Sequence, residues 1–235
     1  DMRIVNPNYR VDPNLKDEKG FSADIGFRGT AGKYFSFDVT GFMIYYNDRI
    51  GQVLKTDSLL FSTYRLRTNV ADSRNIGIEA YAELNILPIL GYQKQNQALN
   101  IYTTLSLMDA FYMNSKEEAY QGKKVEMVSP IIARMGVTYR LSRFTTALQF
   151  AYTHQHYTDA TNAEFSPDAV SGLIPSYYVL DWSLDYQFKR WFSLSAGINN
   201  LTDNMYFTRR AAGYPGPGIL PSDGRSIYLT LQFKI

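Results

Sequence analysis

Two histidines are the first side chains whose type and spacing could support chemistry. His154 and His156 stand two residues apart, so they share one face of an extended segment. A zinc or iron centre needs a third and a fourth ligand, and the neighbouring sequence supplies none, so no metal site is predicted. Hydrolysis is not predicted either, because neither histidine lies in a recognisable serine–histidine–acid motif. The chain has no cysteine, so thiolate catalysis is excluded, and we expect neither an enzyme nor a bound cofactor.

Arginines could support a second kind of chemistry, the binding of anions. A guanidinium group pairs a carboxylate through two parallel hydrogen bonds, and a group of arginines attracts anions from solution. The candidates for contacting a small polyanionic ligand are Arg49, Arg65, Arg67, Arg209 and Arg210. Two alternatives remain open for each of them, the phosphate groups of lipopolysaccharide and an ion pair with an aspartate of a loop.

Aromatic residues surround the last two of these arginines. Tyr206, Phe207 and Tyr214 could pack on a ring of a ligand, or they could belong to an aromatic girdle. Tyr214 lies in the run GYPGPG, which is not a phosphate-binding loop because no helix is predicted to follow it. We retain Tyr214 as a candidate ligand contact.

The composition limits the class of protein. A net charge of +2 over 235 residues is too balanced for a nucleic-acid-binding protein. Mean hydropathy is −0.26, and no run approaches ~18 consecutive apolar residues, so no membrane-spanning helix is predicted. The first ten residues, DMRIVNPNYR, do not form a signal peptide. We therefore expect either an intracellular protein or a mature or internal piece of a longer chain.

Strict alternation of polar and apolar residues is the main structural signal, and the run VLDWSLDYQF at 179–188 illustrates it. Asp181 and Asp185 lie on one face of this strand, and Leu180, Trp182 and Leu184 lie on the other. Nine segments are predicted to be such strands: 19–30, 34–48, 74–86, 97–113, 129–141, 143–157, the segment around 179–188, 191–199 and 225–235.

The length of these segments and of their connections predicts an all-β, antiparallel transmembrane barrel. Strands of soluble proteins average about 5–6 residues, whereas a tilted strand needs ~9–11 residues to cross a bilayer. Short connections alternate with long ones near 49–73, 114–128, 158–176 and 200–224. This is typical of outer-membrane barrels, which have tight periplasmic turns and long extracellular loops. A soluble β-sandwich with tyrosine-rich surfaces is the alternative.

In the barrel interpretation the apolar face, with Trp182, faces lipid and the polar face surrounds an aqueous lumen. The charged residues predicted to face the lumen are Asp24, Asp38, Glu79, Glu83, Arg134, Arg140, Asp181 and Asp185. Single-chain bacterial barrels have an even number of strands, and an unpaired strand edge in lipid is costly. Nine strands therefore predict that the chain is the C-terminal part of one larger barrel domain.

Several segments resemble TonB-dependent outer-membrane receptors. They are PNLKDEK (13–19) with the following FSADIGFRG, YYNDRIG (45–51), NVADSRNIGIEAYAEL (69–84), QHYTDATN (155–162), IPSYYVLDWSLDYQF (174–188), GINNLTDNMYFTRR (197–210) and the final SIYLTLQFKI. The resemblance covers nearly the whole chain in order. The loop FTRRAAGYPGPGILPSDGRS resembles the branch of ferric dicitrate and other ferric siderophore transporters, which favours Arg209 and Arg210 as ligand contacts. One departure is the C-terminus, where Lys234 and Ile235 follow the aromatic residue that usually ends the family's last strand.

The resemblance implies an active transporter of a ferric chelate in the outer membrane of a Gram-negative bacterium. It implies a barrel of ~22 strands that surrounds a plug domain, which the lumen-facing charges would hold. It also implies TonB as a partner, acting through a plug absent from this sequence, along with outer-membrane lipid and lipopolysaccharide. A passive porin or an adhesin barrel is the alternative function.

Overall fold

The computed structural model describes residues 9–57, 62–92, 96–115, 117–167, 169–211 and 217–234. In chain order the strands are β1 (Tyr9–Val11), β2 (Lys19–Ala31), β3 (Phe35–Asp57), β4 (Ser62–Asn85), β5 (Gln97–Met113), β6 (Ile131–Leu141), β7 (Phe144–Thr153), β8 (His156–Tyr157), β9 (Leu173–Ile174), β10 (Tyr177–Lys189), β11 (Phe192–Asn199), β12 (Phe207–Ala211), β13 (Gly218–Pro221) and β14 (Ser226–Phe233). One short helix, α1 (Ile86–Ile89), and one 3-10 turn, Glu118–Tyr120, complete the assignment.

Nine long strands form one antiparallel sheet in the order β2-β3-β4-β5-β6-β7-β10-β11-β14. The prediction of nine strands in sequential order is therefore confirmed. β1 adds to this sheet by pairing in parallel with β4 from Tyr9 to Val11. No helix in the described part of the chain is long and apolar enough to cross a membrane.

One predicted connection is corrected by the structure. The segment 49–73 was expected to be a loop, but β3 continues to Asp57 and β4 begins at Ser62. The two strands pair from Phe35 with Leu84 out to Asp57 with Ser62. Sequence reasoning missed this extension because bulges break the alternation of apolar residues around 46–50 and near Val70.

The tight turns of two or three residues lie at one end of the sheet, and the connections of more than fifteen residues lie at the other. The short-turn end carries 32–34, 142–143 and 190–191, together with the link 86–96 that contains α1. The loop end carries the tip of the β3–β4 hairpin, 114–130, 154–176 and 200–225. Two of these long loops are themselves structured, since β8 pairs with β9 and β12 pairs with β13.

The register of the nine strands aligns apolar side chains into rows on one face. The row through Trp182 crosses all nine long strands and contains Ala31, Phe35, Leu84, Ile101, Val137, Leu148, Trp182, Ile198 and Ile227. Successive side chains of a strand point to opposite sides of the sheet, so the two rows that flank the Trp182 row point to the opposite side, and these rows are polar. We call the side of the Trp182 row the apolar face and the opposite side the polar face.

No second layer of the described residues covers the apolar face. Ile25 is 82% exposed, Ile227 is 76% exposed and Leu229 is 68% exposed, and Trp182 and Leu184 are only partly buried. Soluble proteins rarely leave a continuous apolar surface of this extent in water. A bilayer accounts for it, whereas a β-sandwich would bury these residues against a second sheet.

Aromatic rings lie over glycines of the neighbouring strand on the polar face. A Cβ atom added to Gly136 would lie 2.3 Å from Cε1 of Tyr102, its cross-strand partner. The ring shields a stretch of strand that has no side chain of its own, and its hydroxyl donates to Gln149 at 3.1 Å. Two further pairs share this arrangement: Phe42 over Gly77, and Tyr228 over Gly197.

Replacing Gly136 with Ala should displace the Tyr102 ring and destabilise the barrel by about 1–3 kcal/mol, the usual cost of overpacking. Gly41→Ala is the matched control, because an added Cβ there meets no atom within 4 Å. The temperature at which the protein loses its compact, detergent-resistant electrophoretic form measures the effect. Equal temperatures for the two variants would show that the ring–glycine contact contributes nothing.

Candidate ligand-binding surface at the loop end

Paired bulges change which side chains face inward where the β3–β4 hairpin extends beyond the sheet. The register shifts between Tyr46 and Arg49 and again between Arg49 and Ile50. An extra residue in a strand exchanges the two faces beyond it. In the sheet the polar face of β4 carries odd-numbered residues such as Glu79, whereas beyond the bulges the same side carries Leu66.

A hydrophobic cluster joins the hairpin to the loop 114–130. Its members come from β3, β4, β5 and the loop: Val53, Val70, Ala71, Ala110, Tyr112, Tyr120 and Val125. Polar contacts close its rim, because Tyr112 donates to Glu126 at 2.7 Å and Lys55 pairs with Glu117 at 2.6 Å. Burial raises the pKa of Tyr120, and the negative charge of Glu117 raises it further. The loop therefore folds over the polar side of the hairpin as a fixed cap.

Arg49 points from the bulge to the polar side. Its Nη1 donates to Ser73 at 3.4 Å, and its guanidinium carbon lies 5.7 Å from the ring centroid of Tyr112 and 6.0 Å from that of Tyr46. No described carboxylate lies within ion-pair distance of it. It lines a concavity of about 340 Å³ formed by Glu18, Tyr46, Arg49, Ile50, Asn75 and Val128.

Arg65 and Arg67 lie on a strand, where a loop was predicted, and they are exposed on the other side of the hairpin. Arg67 pairs with Gln52 and Arg65 with Leu54, so both alternate with Leu66 of the buried cluster. Their side chains therefore point away from the concavity that Arg49 lines. The structure does not bring these two arginines together with Arg49, and their contact with a ligand stays a prediction.

Arg210 fixes one loop to another. Its Nη1 donates to the carbonyl of Ala169 at 3.0 Å and its Nη2 to the carbonyl of Leu173 at 2.9 Å. The guanidinium also lies 5.3 Å from the ring centroid of Phe207. Arg209, the preceding residue of β12, is exposed, and it forms no ion pair with any described residue. The two neighbouring arginines therefore have different surroundings, and a ligand reaches Arg209 more easily.

The structure describes some of the remaining loop-end candidates and not others. Tyr206 stacks on Tyr177 with ring centroids 4.7 Å apart, so it packs against the top of β10. Tyr214 lies outside the described residues, and its role stays a prediction. His154 bonds through Nδ1 to the hydroxyl of Tyr152 at 2.7 Å, and Nδ1 of His156 lies 3.3 Å from the carbonyl oxygen of His154. Among the described residues no three His, Asp or Glu side chains are grouped to hold a metal ion.

The charged residues predicted to face the lumen share the polar face. Arg28, Asp38, Tyr81, Thr104 and Arg134 lie in one cross-strand row. A concavity of about 470 Å³ lies over part of this row and also contacts Glu79. The other predicted members lie on the same side by strand alternation: Asp24, Glu83, Arg140, Asp181 and Asp185. Their contact with a plug domain stays a prediction.

Comparison with known families matches this architecture. A family model described as TonB dependent receptor-like, beta-barrel, matches residues 3–201. The chain belongs to this family of TonB-dependent receptor barrels. Its members are receptors and transporters of the Gram-negative outer membrane, and the family is not one of enzymes. The short-turn end is therefore periplasmic, the loop end is extracellular, and the apolar face meets lipid.

Individual relatives share the fold at low identity. The probable TonB-dependent siderophore receptor PiuA of Acinetobacter baumannii is 28% identical over 119 residues, which cover 50% of this chain and 14% of the relative. The structure of the ferric citrate transporter FecA has a TM-score of 0.74 at 19% identity, covering 90% of this chain and 30% of FecA. The ferric-catecholate import receptor Fiu of E. coli K12 has a TM-score of 0.66 at 17% identity, covering 93% and 28%. The chain spans less than a third of the length of these proteins.

Replacing Arg210 with Ala should loosen the loop 154–176, because two carbonyls lose their charged donor at a cost of about 1.5–3 kcal/mol. Arg209→Ala is the matched control, since it removes the same charge from an exposed site. Hydrogen exchange of the amides of Thr158 and Leu173, which close this loop, measures the change. Equal exchange in the two variants would contradict the fixing role of Arg210.

The cap over the β3–β4 hairpin should weaken in alkali. The buried hydroxyl of Tyr120 is neutral. The stability that its burial contributes to the cap is therefore fully present below the ordinary pKa of 10.0 and is lost as the pH rises through the raised pKa. Subtilisin cleavage of the loop 114–130 should therefore increase between pH 9 and pH 11. Tyr120→Phe, which has no ionisable group, should show a smaller increase; an identical pH response would contradict the assignment to Tyr120.

Proposed function

We propose that the receptor containing this chain imports a ferric chelate across the outer membrane, with energy supplied through TonB. The observation that carries the proposal is the family match over residues 3–201. The named functions of FecA, Fiu and PiuA, a ferric citrate transporter, a ferric-catecholate receptor and a siderophore receptor, support this class of substrate. This chain supplies the barrel wall and part of the extracellular binding surface.

The chain acts as the C-terminal part of one barrel domain in this proposal. β2 and β14 are the edges of the described sheet, each with one hydrogen-bonded neighbour. Unpaired backbone groups in lipid cost several kcal/mol each, so strands outside this chain complete the wall. The enclosed polar face holds a plug domain through the charged row that includes Asp38 and Arg134, and TonB acts on that plug.

An anionic chelate such as ferric citrate is the proposed ligand, and Arg209 and Arg49 are its proposed contacts. Arg209 is exposed beside the loop that Arg210 holds in place. Arg49 lines a concavity and has no carboxylate partner among the described residues. A guanidinium held between aromatic rings retains donors that can pair with a carboxylate. Arg210 contributes by positioning the loop, and Tyr214 remains a proposed contact from sequence.

The test is equilibrium binding of ferric citrate to the full-length receptor. Arg209→Ala and Arg49→Gln should each weaken binding about 10- to 100-fold, which corresponds to the loss of a hydrogen bond to a charged group. Arg190→Ala, which removes the same charge at the periplasmic turn, is the control. Affinity unchanged in both loop-end variants would remove these residues from the ligand site. A parallel titration with a ferric catecholate separates a wrong ligand from wrong residues.

Uptake separates active transport from the porin alternative. Cells that carry the receptor should accumulate iron-55 from labelled ferric citrate, and a protonophore or loss of TonB should abolish accumulation. A passive porin would continue to pass the chelate under both conditions. Persistent uptake without TonB would therefore overturn the transport mechanism and leave the binding residues open to separate measurement.

A further inference from the structure

The segment 12–18 connects β1 to β2 and contacts the bulged part of the β3–β4 hairpin; we call it the strap. It follows a strand that pairs with β4 and precedes a strand that pairs with β3. At its first residue, the carboxylate of Asp12 accepts from the hydroxyl of Thr68 at 2.6 Å. At its last residue, the carboxylate of Glu18 accepts from the backbone N–H of Ile50 at 2.5 Å. Hydrogen bonds therefore attach the strap to both strands of the hairpin.

The amide of Asn69 holds the middle of the strap. Its Oδ1 accepts from the N–H of Lys16 at 2.8 Å, and its Nδ2 donates to the carbonyl of the same residue at 2.9 Å. The same Nδ2 donates at 2.6 Å to the carbonyl of Asp48, in the bulge of β3. Asn69 is only 4% exposed. A carboxamide has donors as well as an acceptor, so this one side chain joins the strap to the bulge, whereas an ionised carboxylate of the same shape has no donor.

Asp48 has a backbone conformation that depends on its surroundings. Its φ of 53° lies in the left-handed region, which is uncommon for residues other than glycine. Such a conformation persists where neighbouring groups hold it. Here the N–H of Asp48 donates to the carboxylate of Asp72 at 3.0 Å, and its carbonyl accepts from Asn69. Loss of the donor on Asn69 should therefore release Asp48 towards an ordinary conformation.

Arg49 lies between two residues that these contacts fix. The residue before it is held by Asn69, the residue after it by Glu18, and the register of the hairpin shifts on both sides of it. The guanidinium has only loose contacts of its own, a hydrogen bond of 3.4 Å to Ser73 and aromatic rings with centroids 5.7 Å and 6.0 Å away. The backbone therefore sets the direction in which this arginine points.

We propose that Asn69, together with the strap, is a positioning residue of the ligand site: it holds the bulge and so directs Arg49 into the concavity of about 340 Å³. Asn69 is buried and does not line this concavity, so it acts on the ligand only through the arginine. The inference rests on the proposed function, in which Arg49 contacts an anionic chelate. It adds that the contribution of this contact to affinity depends on a buried amide of β4.

The test is a double-mutant cycle on the full-length receptor, with equilibrium binding of ferric citrate as the measurement. Asn69→Asp keeps the shape of the side chain and removes the donor to Lys16 and Asp48, so it should weaken binding about tenfold. The double variant Asn69→Asp/Arg49→Gln should bind no more weakly than Arg49→Gln alone, because the amide acts through the arginine. A further loss in the double variant would show that Asn69 affects the loop end in general, and it would overturn the proposal.

Asn14→Asp is the matched control for the added charge. Asn14 lies on the strap and is exposed, and within the described part of the chain its side chain forms no hydrogen bond. The variant adds a negative charge on the same segment, so affinity should stay within about twofold of wild type. A loss equal to that of Asn69→Asp would show that charge, and not the missing donor, lowers the affinity.

A nitroxide label reports the order of position 49 without any ligand. It is attached through Arg49→Cys in the full-length receptor, made free of other reactive cysteines; this chain contains none. The electron paramagnetic resonance spectrum should show a restricted label when Asn69 is present and shift to the narrow lines of a mobile label with Asn69→Asp. Asn14→Asp should keep the restricted spectrum. Identical spectra with and without Asn69 would overturn the proposal.

Glu18 offers a second pair of variants if Asn69→Asp does not fold, as judged by detergent-resistant mobility on electrophoresis. Glu18→Ala and Glu18→Gln both remove a negative charge, but only Glu18→Ala removes the acceptor for the N–H of Ile50. Glu18→Ala should therefore bind ferric citrate about fivefold more weakly than Glu18→Gln and give the more mobile label at position 49. Equal affinity and equal label mobility in this pair would overturn the positioning role of the strap.

The two kinds of measurement separate this inference from the proposed function. Unchanged ferric citrate affinity in Arg49→Gln would contradict the assignment of Arg49 as a ligand contact. The label spectra do not depend on a ligand, so they then decide whether Asn69 positions residue 49.

Discussion

The hydrogen-bond requirement of the backbone in a water-free environment is the constraint on which this structure depends. A bilayer offers no partner to an exposed N–H or C=O group, so each spanning strand has to pair on both edges. In the described sheet the seven strands from β3 to β11 meet this demand through antiparallel neighbours on both edges, and β2 and β14 pair on one edge each. The register then determines the side chains, because it aligns Trp182 with Leu148 and Ile198 and places charged residues in rows on the other side.

Beyond the bilayer this requirement relaxes, because water can bond exposed backbone groups, and the chain there forms loops that are ordered by their own contacts. The hairpin of β3 and β4 rises past the bulges, and the cluster around Tyr112 and Val125 fixes the loop 114–130 on its polar side. Hydrogen bonds from side chains to the backbone connect this loop to the others. Asn162 of the loop 154–176 bonds both the N–H and the carbonyl of Lys124, and Arg210 of the last loop bonds two carbonyls of the loop 154–176. The extracellular loops of this chain therefore hold one another in place. A preordered surface of this kind reduces the entropy cost of binding a ligand.

The arginines show how one residue type takes several roles through position alone. Arg49 is held between aromatic rings on the polar side, Arg210 bonds two carbonyls, and Arg74 lies over the ring of Phe111. These differences arise from strand parity, local bulges and the proximity of carbonyl groups. Charge alone does not distinguish them.

Sequence by itself determined the strand count, the two faces and the membrane class of this protein. Period-two alternation over segments such as 97–113 and 179–188 is a local property, and the alternation of short and long connections follows from it. The same alternation assigns the charged side chains from Asp24 to Asp185 to one face.

Only the tertiary structure determined how the side chains at the loop end are arranged. The register shift at Arg49 and Ile50 depends on how two strands pair, and it leaves no clear pattern in the sequence. That shift turned Arg65 and Arg67 away from Arg49, and a contact across 41 residues gave Arg210 its carbonyl partner. Such features depend on which distant groups meet, and local alternation carries no information about that.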